Sequence, residues 1–233
     1  MDSVYGEKFF RNVGTVTKQE QLKIKNANFT VIGLGGTGGF AFENLLRMGA
    51  ENFVLFDRDR FELSNFNRQL LANDYCVDVP KVEIAAAHAK AINKDAKIAN
   101  YYKMFDDSDD EAIKNCDVVI DCSDNVETHL TISNVCKKLK KPMVFCTASF
   151  AIGMVTVISG VDFSRMFQLP KNKTLLKKYN TCTSVLSTAT AVSGSLAAQQ
   201  AVNLVLKKNV VKAPSVQFFD LFAKEPFYIK KLK

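Results

Sequence analysis

Three groups of residues in this 233-residue chain have types and spacing that could do chemistry. The first is the glycine run at residues 31–39, in which Gly33, Gly35 and Gly38 satisfy G-x-G-x-x-G and Gly36 adds further freedom. An apolar segment, Phe29 to Ile32, precedes it, and a helical pattern with Ala41, Leu45 and Leu46 follows. Such a turn brings backbone N–H groups close to a polyphosphate at a helix N-terminus, where the dipole favours negative charge. Alone it reads as nucleotide binding without naming the nucleotide, and a glycine turn with no ligand is the alternative. The second group begins at Asp57, which follows the turn at roughly the 20-residue distance where an acid bonds a ribose hydroxyl. Asp59, Asn65, Asn67, Arg68 and Gln69 crowd the polar loop behind it. Pro80 then opens a helix, and Lys81 sits in its first turn, where the macrodipole prefers acids. A lysine there suggests an anion to meet, with a solvated lysine as the alternative. The third group, Asp121-Cys122-Ser123-Asp124-Asn125, closes an apolar strand.

The elements that must position these groups alternate. Strands are expected near 29–32, 53–56, 97–102, 118–120 and 143–146. Helices are expected from 37 to 48, from 80, and from about 126 to 139. Short loops between alternating strands and helices imply a doubly wound, mostly parallel sheet. Ligands bind such sheets at the carboxyl ends of the strands, so the glycine turn, Asp57 and Asp124 should share one edge. After 147 the rhythm changes. Residues 150–159 read as an antiparallel strand, 160–182 as a mobile crossing segment, 183–206 as a long helix, and 216–221 with 227–229 as a terminal hairpin. The first 28 residues read as an aromatic-basic arm followed by a polar helix from Thr17.

Composition bounds the rest. Apolar residues make up 47% and charged residues 24%, as in an ordinary globular protein. No apolar run approaches the ~20 residues of a membrane span, and the start has no signal-peptide pattern, so a cytoplasmic protein with no membrane partner is expected. None of the six cysteines forms a C-x-x-C pair, which gives a thiolate zinc site no support. Cys116, Cys122, Cys136 and Cys146 lie in apolar periodic segments and read as core residues. His88 and His129 lie in helical stretches and read as bystanders. The net charge of +7 suggests an acidic partner, but no basic-aromatic pattern supports nucleic acid.

Taken together, these motifs resemble the HesA/MoeB/ThiF family of ATP-dependent activators of ubiquitin-fold proteins, including the adenylation domains of ubiquitin-activating enzymes. The carriers are G-x-G-G-x-G at 33–38, the D-x-D-x-x-E-x-S-N-x-N-R-Q run at 57–69, Pro80-Lys81-Val82 and residues 121–125. The resemblance covers nearly the whole chain and implies a single adenylation domain over residues 1–233 with a Rossmann-like α/β fold. It implies adenylation of the C-terminal glycine carboxylate of a ubiquitin-fold protein ending in Gly-Gly, with ATP and Mg²⁺. By position, the glycine turn would accommodate the phosphates, Asp57 would hold the ribose, and Arg68 and Lys81 would meet phosphate oxygens. Asn65 and Gln69 would orient the loop and nucleotide, Asp59 and Asn125 would join the binding site, and Asp124 would help hold Mg²⁺. Lys8-Phe9-Phe10-Arg11-Asn12 is similar to the family's N-terminal arm, which makes Arg11 a finger in trans and implies a homodimer.

Cys182 precedes the long helix, and a helix N-terminus lowers a thiol pKa. Its position matches a family cysteine that takes the acyl group as a thioester or joins sulfur transfer; an inert cysteine is the alternative. The paired C-x-x-C ligands of many relatives are missing, so zinc is predicted absent. Three other readings remain open at this point. One is a member of the same fold that activates a tRNA-linked or small-molecule carboxylate, as threonylcarbamoyladenosine dehydratases do. The others are a nicotinamide-dependent oxidoreductase and a non-catalytic binding subunit.

Overall fold

A computed structural model describes residues 3–170, 172–176, 178 and 183–232. The elements run α1 (Ser3–Lys8), α2 (Lys18–Asn26), β1 (Asn28–Ile32), α3 (Gly36–Arg47), β2 (Asn52–Asp57), α4 (Lys81–Ile92), β3 (Lys97–Tyr102), α5 (Asp110–Ile113) and β4 (Val118–Asp121). They continue with α6 (Val126–Lys138), β5 (Met143–Ser149), β6 (Ile152–Ile158), α7 (Phe163–Met166), α8 (Lys173–Leu176), α9 (Ser187–Val205), β7 (Ser215–Asp220) and β8 (Phe227–Lys231).

One eight-stranded sheet has the order β3-β2-β1-β4-β5-β6-β7-β8. The first five strands are mutually parallel and the last three antiparallel. This is the α/β, Rossmann-like arrangement expected from the alternating pattern, with an antiparallel C-terminal extension. Register decides where the chemistry goes. Ile32 pairs with Phe56 on one side and with Asp121 on the other. The residues that step off these strands, Gly33, Asp57 and Cys122, therefore leave the sheet at one edge. The chain reverses direction across the sheet between β1 and β4, which is the crevice where such folds take ligands.

Successive strand residues point to opposite faces, and each face has its own core. Val31, Leu55 and Ile120 pack with Leu45, Ala85 and Ala197 beneath α3, α4 and α9. Ile32, Phe56 and Val119 pack with Ile113, Ile132 and Val135 beneath α5 and α6. Both faces are covered, which is why these strands read as continuous apolar runs rather than as an alternating pattern. Helix α2 starts at the expected Thr17, whose hydroxyl accepts from the Glu20 N–H while the Glu20 carboxylate accepts from the Thr17 N–H. This reciprocal cap satisfies two donors that the first helical turn leaves free.

Two expectations change. Residues 160–170 are packed rather than loosely crossing, because Phe163 and Met166 of α7 are buried beside Phe145. The aromatic-basic arm is helical, and it docks on its own subunit through Tyr5 and Phe9, both buried. The Tyr5 hydroxyl donates to the Gly49 carbonyl at 2.7 Å and accepts from Gln21 Nε2 at 2.8 Å. Burial, opposed by that amide, pushes the Tyr5 phenol up to about 12. No helix among the described residues is long and apolar enough to cross a membrane.

Candidate active site

The turn between β1 and α3 is shaped by two close approaches. Gly33 has φ +89°, a conformation that favours glycine. A Cβ there would also stand 2.6 Å from the Cys122 carbonyl oxygen. Gly38 lies inside the first turn of α3, where a Cβ would collide with the Gly33 carbonyl oxygen and lie 3.2 Å from Cys122 Cβ. The backbone thus folds tightly against the end of β4, and the N-terminus of α3 opens toward the crevice. Helix α9 covers this turn from outside: Thr190 donates its hydroxyl to the Arg68 carbonyl at 3.2 Å, and its methyl group lies over Gly36.

An open cleft sits on this edge. Gly33 and Gly35 form its floor, residues 57–59 one wall, and Ser123, Asp124, Asn125 and Thr128 the other. Asp57 is buried and anchored at both oxygens: Oδ2 accepts from the Leu34 N–H at 2.6 Å and Oδ1 from the Asp59 N–H at 2.8 Å. Burial raises its carboxyl above the usual range, while Lys81 and the two N–H donors pull it back. An ionised carboxylate offers about four acceptor sites, so two of these bonds leave room for a ribose hydroxyl. Asn125 caps α6 by accepting from the Thr128 N–H at 2.9 Å, which fixes the turn that carries Asp124.

Lys81 differs from the expectation of a side chain aimed at an external anion. It is buried behind the wall, not on the cleft surface, and its Nζ lies 3.3 Å from Asp59 Oδ2. The chain itself supplies the anion, and Lys81 stands as a cation beneath Asp57 and Asp59. Asn65 is also internal: its side chain accepts from the Glu62 N–H at 3.2 Å and so closes its own loop. Gln69 is buried with its amide nitrogen next to Gly35, and its Oε1 has no partner among the described residues.

Arg68 places only its backbone against the glycine turn. Its guanidinium donates to the Ser64 carbonyl at 2.7 Å and to Asn67 Oδ1 at 2.9 Å. The side chain lines a second, adjoining cleft with Ser64, Asn67, Phe150, Phe222 and residues 183–186. The Asn67 amide donates to the Val185 carbonyl at 3.2 Å, and the Phe150 N–H donates to the Ser184 carbonyl at 2.8 Å, pinning that segment across the cleft mouth. Arg11 does not reach this edge. It is exposed, and its neighbour Asn12 bonds the Met48 carbonyl at the far end of α3, about 18 Å from the turn for a twelve-residue helix. Cys182 lies outside the described residues.

Sequence reasoning missed two contributors. Lys103, Met104 and Phe105 border the main cleft, brought there by the pairing of β3 beside β2, and no motif marks them. His129, expected to be a bystander, is buried and bonded to Asp121. Among the described residues, no cluster of three or more histidine, cysteine or acidic side chains could hold a metal ion by itself. Asp124 faces the same cleft as the glycine floor, which suits Mg²⁺, because that ion takes one or two carboxylates together with substrate phosphates.

The profile of the ThiF family matches residues 9–232. This chain belongs to the ThiF family. An "Adenylyltransferase and sulfurtransferase MOCS3" from Drosophila sechellia is 30% identical over 206 residues, covering 87% of this chain and 45% of the relative. The protein of that name from Aedes aegypti is 29% identical, covering 87% and 47%. The ThiF-family chain described here thus spans less than half the length of these relatives. Among solved structures, selenomethionine PaaA superposes with a TM-score of 0.79 at 16% identity, covering all of this chain and 75% of PaaA. Escherichia coli MccB with ATP gives 0.76 at 15%, covering 91% and 66%. Escherichia coli tRNA N6-threonylcarbamoyladenosine dehydratase, TcdA, with AMP gives 0.73 at 20%, covering 88% and 97%. At these identities the structures establish the shared ThiF fold. The nicotinamide oxidoreductase reading has no support from family membership.

Proposed function

We propose that the protein is an ATP-dependent adenylyltransferase that activates the C-terminal glycine carboxylate of a ubiquitin-fold protein ending in Gly-Gly. The observation that carries this reading is the convergence of the glycine turn, Asp57 and the Asp124–Asn125 turn on one cleft, with a second cleft bearing Arg68 directly beside it. The relatives named adenylyltransferases, and the neighbours solved with ATP and AMP, support the same chemistry.

The main cleft holds the nucleotide, with Asp57 on the ribose and the turn N–H groups on the phosphates. The adjoining cleft admits the extended tail. A carboxylate oxygen of the tail attacks the α-phosphorus, the bond to the β-phosphate bridging oxygen breaks, and pyrophosphate leaves as the acyl-adenylate forms. Arg68, swung from the adjoining cleft, and Lys81, acting from behind the wall, offset the charge that accumulates on the leaving oxygens. Asp124 would hold Mg²⁺, which supplies further charge neutralisation on the phosphates. Arg11 lies too far from its own cleft to act there, which favours a homodimer in which each arm serves the opposite site. Cys182 is the acceptor of the next step: its sulfur attacks the acyl carbon and AMP leaves. A cytoplasmic location belongs to this proposal.

One observation favours a second reading. TcdA is matched over 97% of its own length, so a tRNA-linked carboxylate is the alternative substrate. Radiolabelled pyrophosphate exchange into ATP separates the two. Exchange should require a Gly-Gly-ending ubiquitin-fold protein from a candidate panel, and Asp124→Ala should abolish it. Cys182→Ala should retain exchange but lose a thiol-sensitive adduct. Exchange with threonylcarbamoyl-tRNA alone would reverse the substrate assignment, and no exchange with any substrate would reject adenylation.

A further inference from the structure

Behind the Ser123–Asn125 wall lies a buried polar cluster that the adenylation reading leaves unused. Asp121 ends β4 and is fully buried. His129, on the first turns of α6, donates from Nδ1 to Asp121 Oδ2 at 2.8 Å. Ser123 donates its hydroxyl to Asp121 Oδ1 at 2.7 Å and its N–H to the same oxygen at 3.0 Å, with Oγ 2.9 Å from His129 Nδ1. Serine, histidine and aspartate suggest a hydrolytic triad, but the geometry excludes one. Such a triad places serine and aspartate on opposite ring nitrogens, whereas here both meet Nδ1. The hydroxyl is held as a strut, not activated as a nucleophile.

Ser123 and Thr128 line the nucleotide cleft, so the cluster is one bond removed from the ligand. We propose that His129 is a positioning residue: through Asp121 it braces the Ser123–Asn125 turn and so sets how firmly the cleft holds ATP. This rests on the adenylation reading only in naming ATP as the ligand. Among the described residues, Asp121 is the charged group bonded to the ring. From β5 comes Phe145, edge-on at 5.0 Å, and from α7 comes Phe163 at 5.9 Å. Asp162, which caps α7, is exposed and engaged with Ser164, the Arg165 N–H and Lys137. Cys122 and Cys136 lie near Asp121 as thiols pushed upward, Cys122 chiefly by the Cys146 thiol and Cys136 by burial.

The Nδ1–H is the donor that Asp121 needs. Without it a fully buried carboxylate oxygen loses its partner, and a buried acceptor left unpaired is costly. Ser123 is bonded to the same carboxylate, so the turn that faces the cleft moves with it.

Calorimetric titration with Mg²⁺–ATP at a fixed pH tests the inference. His129→Leu, which removes the donor, should lose roughly tenfold in affinity, and His129→Asn, whose amide can donate from the place of Nδ1, should recover most of it. Ser123→Ala cuts the strut and leaves the bond between His129 and Asp121, so it should also weaken binding; it serves as the test if the His129 variants fail to fold. Wild-type affinity in His129→Leu, no recovery in His129→Asn, or an unchanged affinity in Ser123→Ala overturns the His129 assignment alone. No Mg²⁺–ATP binding by the wild-type protein overturns the nucleotide reading together with it.

Discussion

Gly38→Ala should abolish detectable Mg²⁺–ATP binding and lower the melting temperature by several degrees. Local propensity predicts the opposite, because alanine in a helix is favoured over glycine by about 0.5–1 kcal/mol. Position decides the sign. The added methyl group would be driven into the Gly33 carbonyl oxygen and against Cys122 Cβ, both held by the sheet edge. Overpacking of this kind costs about 1–3 kcal/mol, occasionally more, and it outweighs the propensity gain. A net loss of about 2 kcal/mol corresponds to roughly 4–8 °C for a chain of this size. Relief comes only by moving the turn, which misaligns the N–H groups that face the cleft. Gly6→Ala is the control: it lies in α1, where a Cβ meets nothing within 4 Å, and it should leave both properties within error or raise stability slightly. A Gly38→Ala protein with unchanged melting and nucleotide affinity would show that the turn does not approach β4 as described.

Lys81→Met should cut pyrophosphate exchange by about a hundredfold while the folded protein remains obtainable. Methionine keeps most of the buried volume beside Phe61, so packing is largely retained. What disappears is the cation beneath Asp57 and Asp59. Asp57 already has its carboxyl raised by burial, and Lys81 is the largest of the opposing influences. Without it, that carboxyl moves further up. A carboxyl raised in the folded state favours folding below its unfolded pKa of about 3.9, and this contribution is lost as pH rises through the folded value. The stability gap between wild type and Lys81→Met should therefore be small near pH 4 and wider near pH 7, as read from urea unfolding at both. A gap independent of pH would mean that Lys81 does not support Asp57, and wild-type exchange would remove it from the catalytic proposal.

The buried position of Lys81 shows where the sequence stopped being legible. A lysine at the start of a helix is electrostatically misplaced, and that local conflict rightly marked it. The conflict predicted an external anion, because helix periodicity cannot show that the loop after β2 sets Asp59 beside Lys81 at the start of α4. His129 failed in the other direction. Four residues of apolar and polar context around a helical histidine look the same whether the ring meets solvent or a buried carboxylate. The bond to Asp121 depends on α6 folding back over the end of β4. Residues 103–105 carry no motif, and they border the cleft only because β3 takes the outer position beside β2.

The glycine spacing, the acid after β2, the polar loop and the strand-end Asp-Cys-Ser-Asp-Asn run were all readable in the chain, as was the alternation that makes a parallel sheet. These are short-range properties: turns, caps and runs of apolar residues are settled by steric and solvation preferences of adjacent residues. Tertiary structure alone decided which of the marked side chains face the cleft. Asp57, Asp59, Asp124 and Asn125 line it, Lys81 and Gln69 stand behind or beside its floor, Arg68 turns to the neighbouring cleft, and Arg11 sits at the far end of α3. That division follows from register. Pairing Ile32 with both Phe56 and Asp121 sets which residues leave the sheet together, and register is a long-range property that no local stretch of sequence contains.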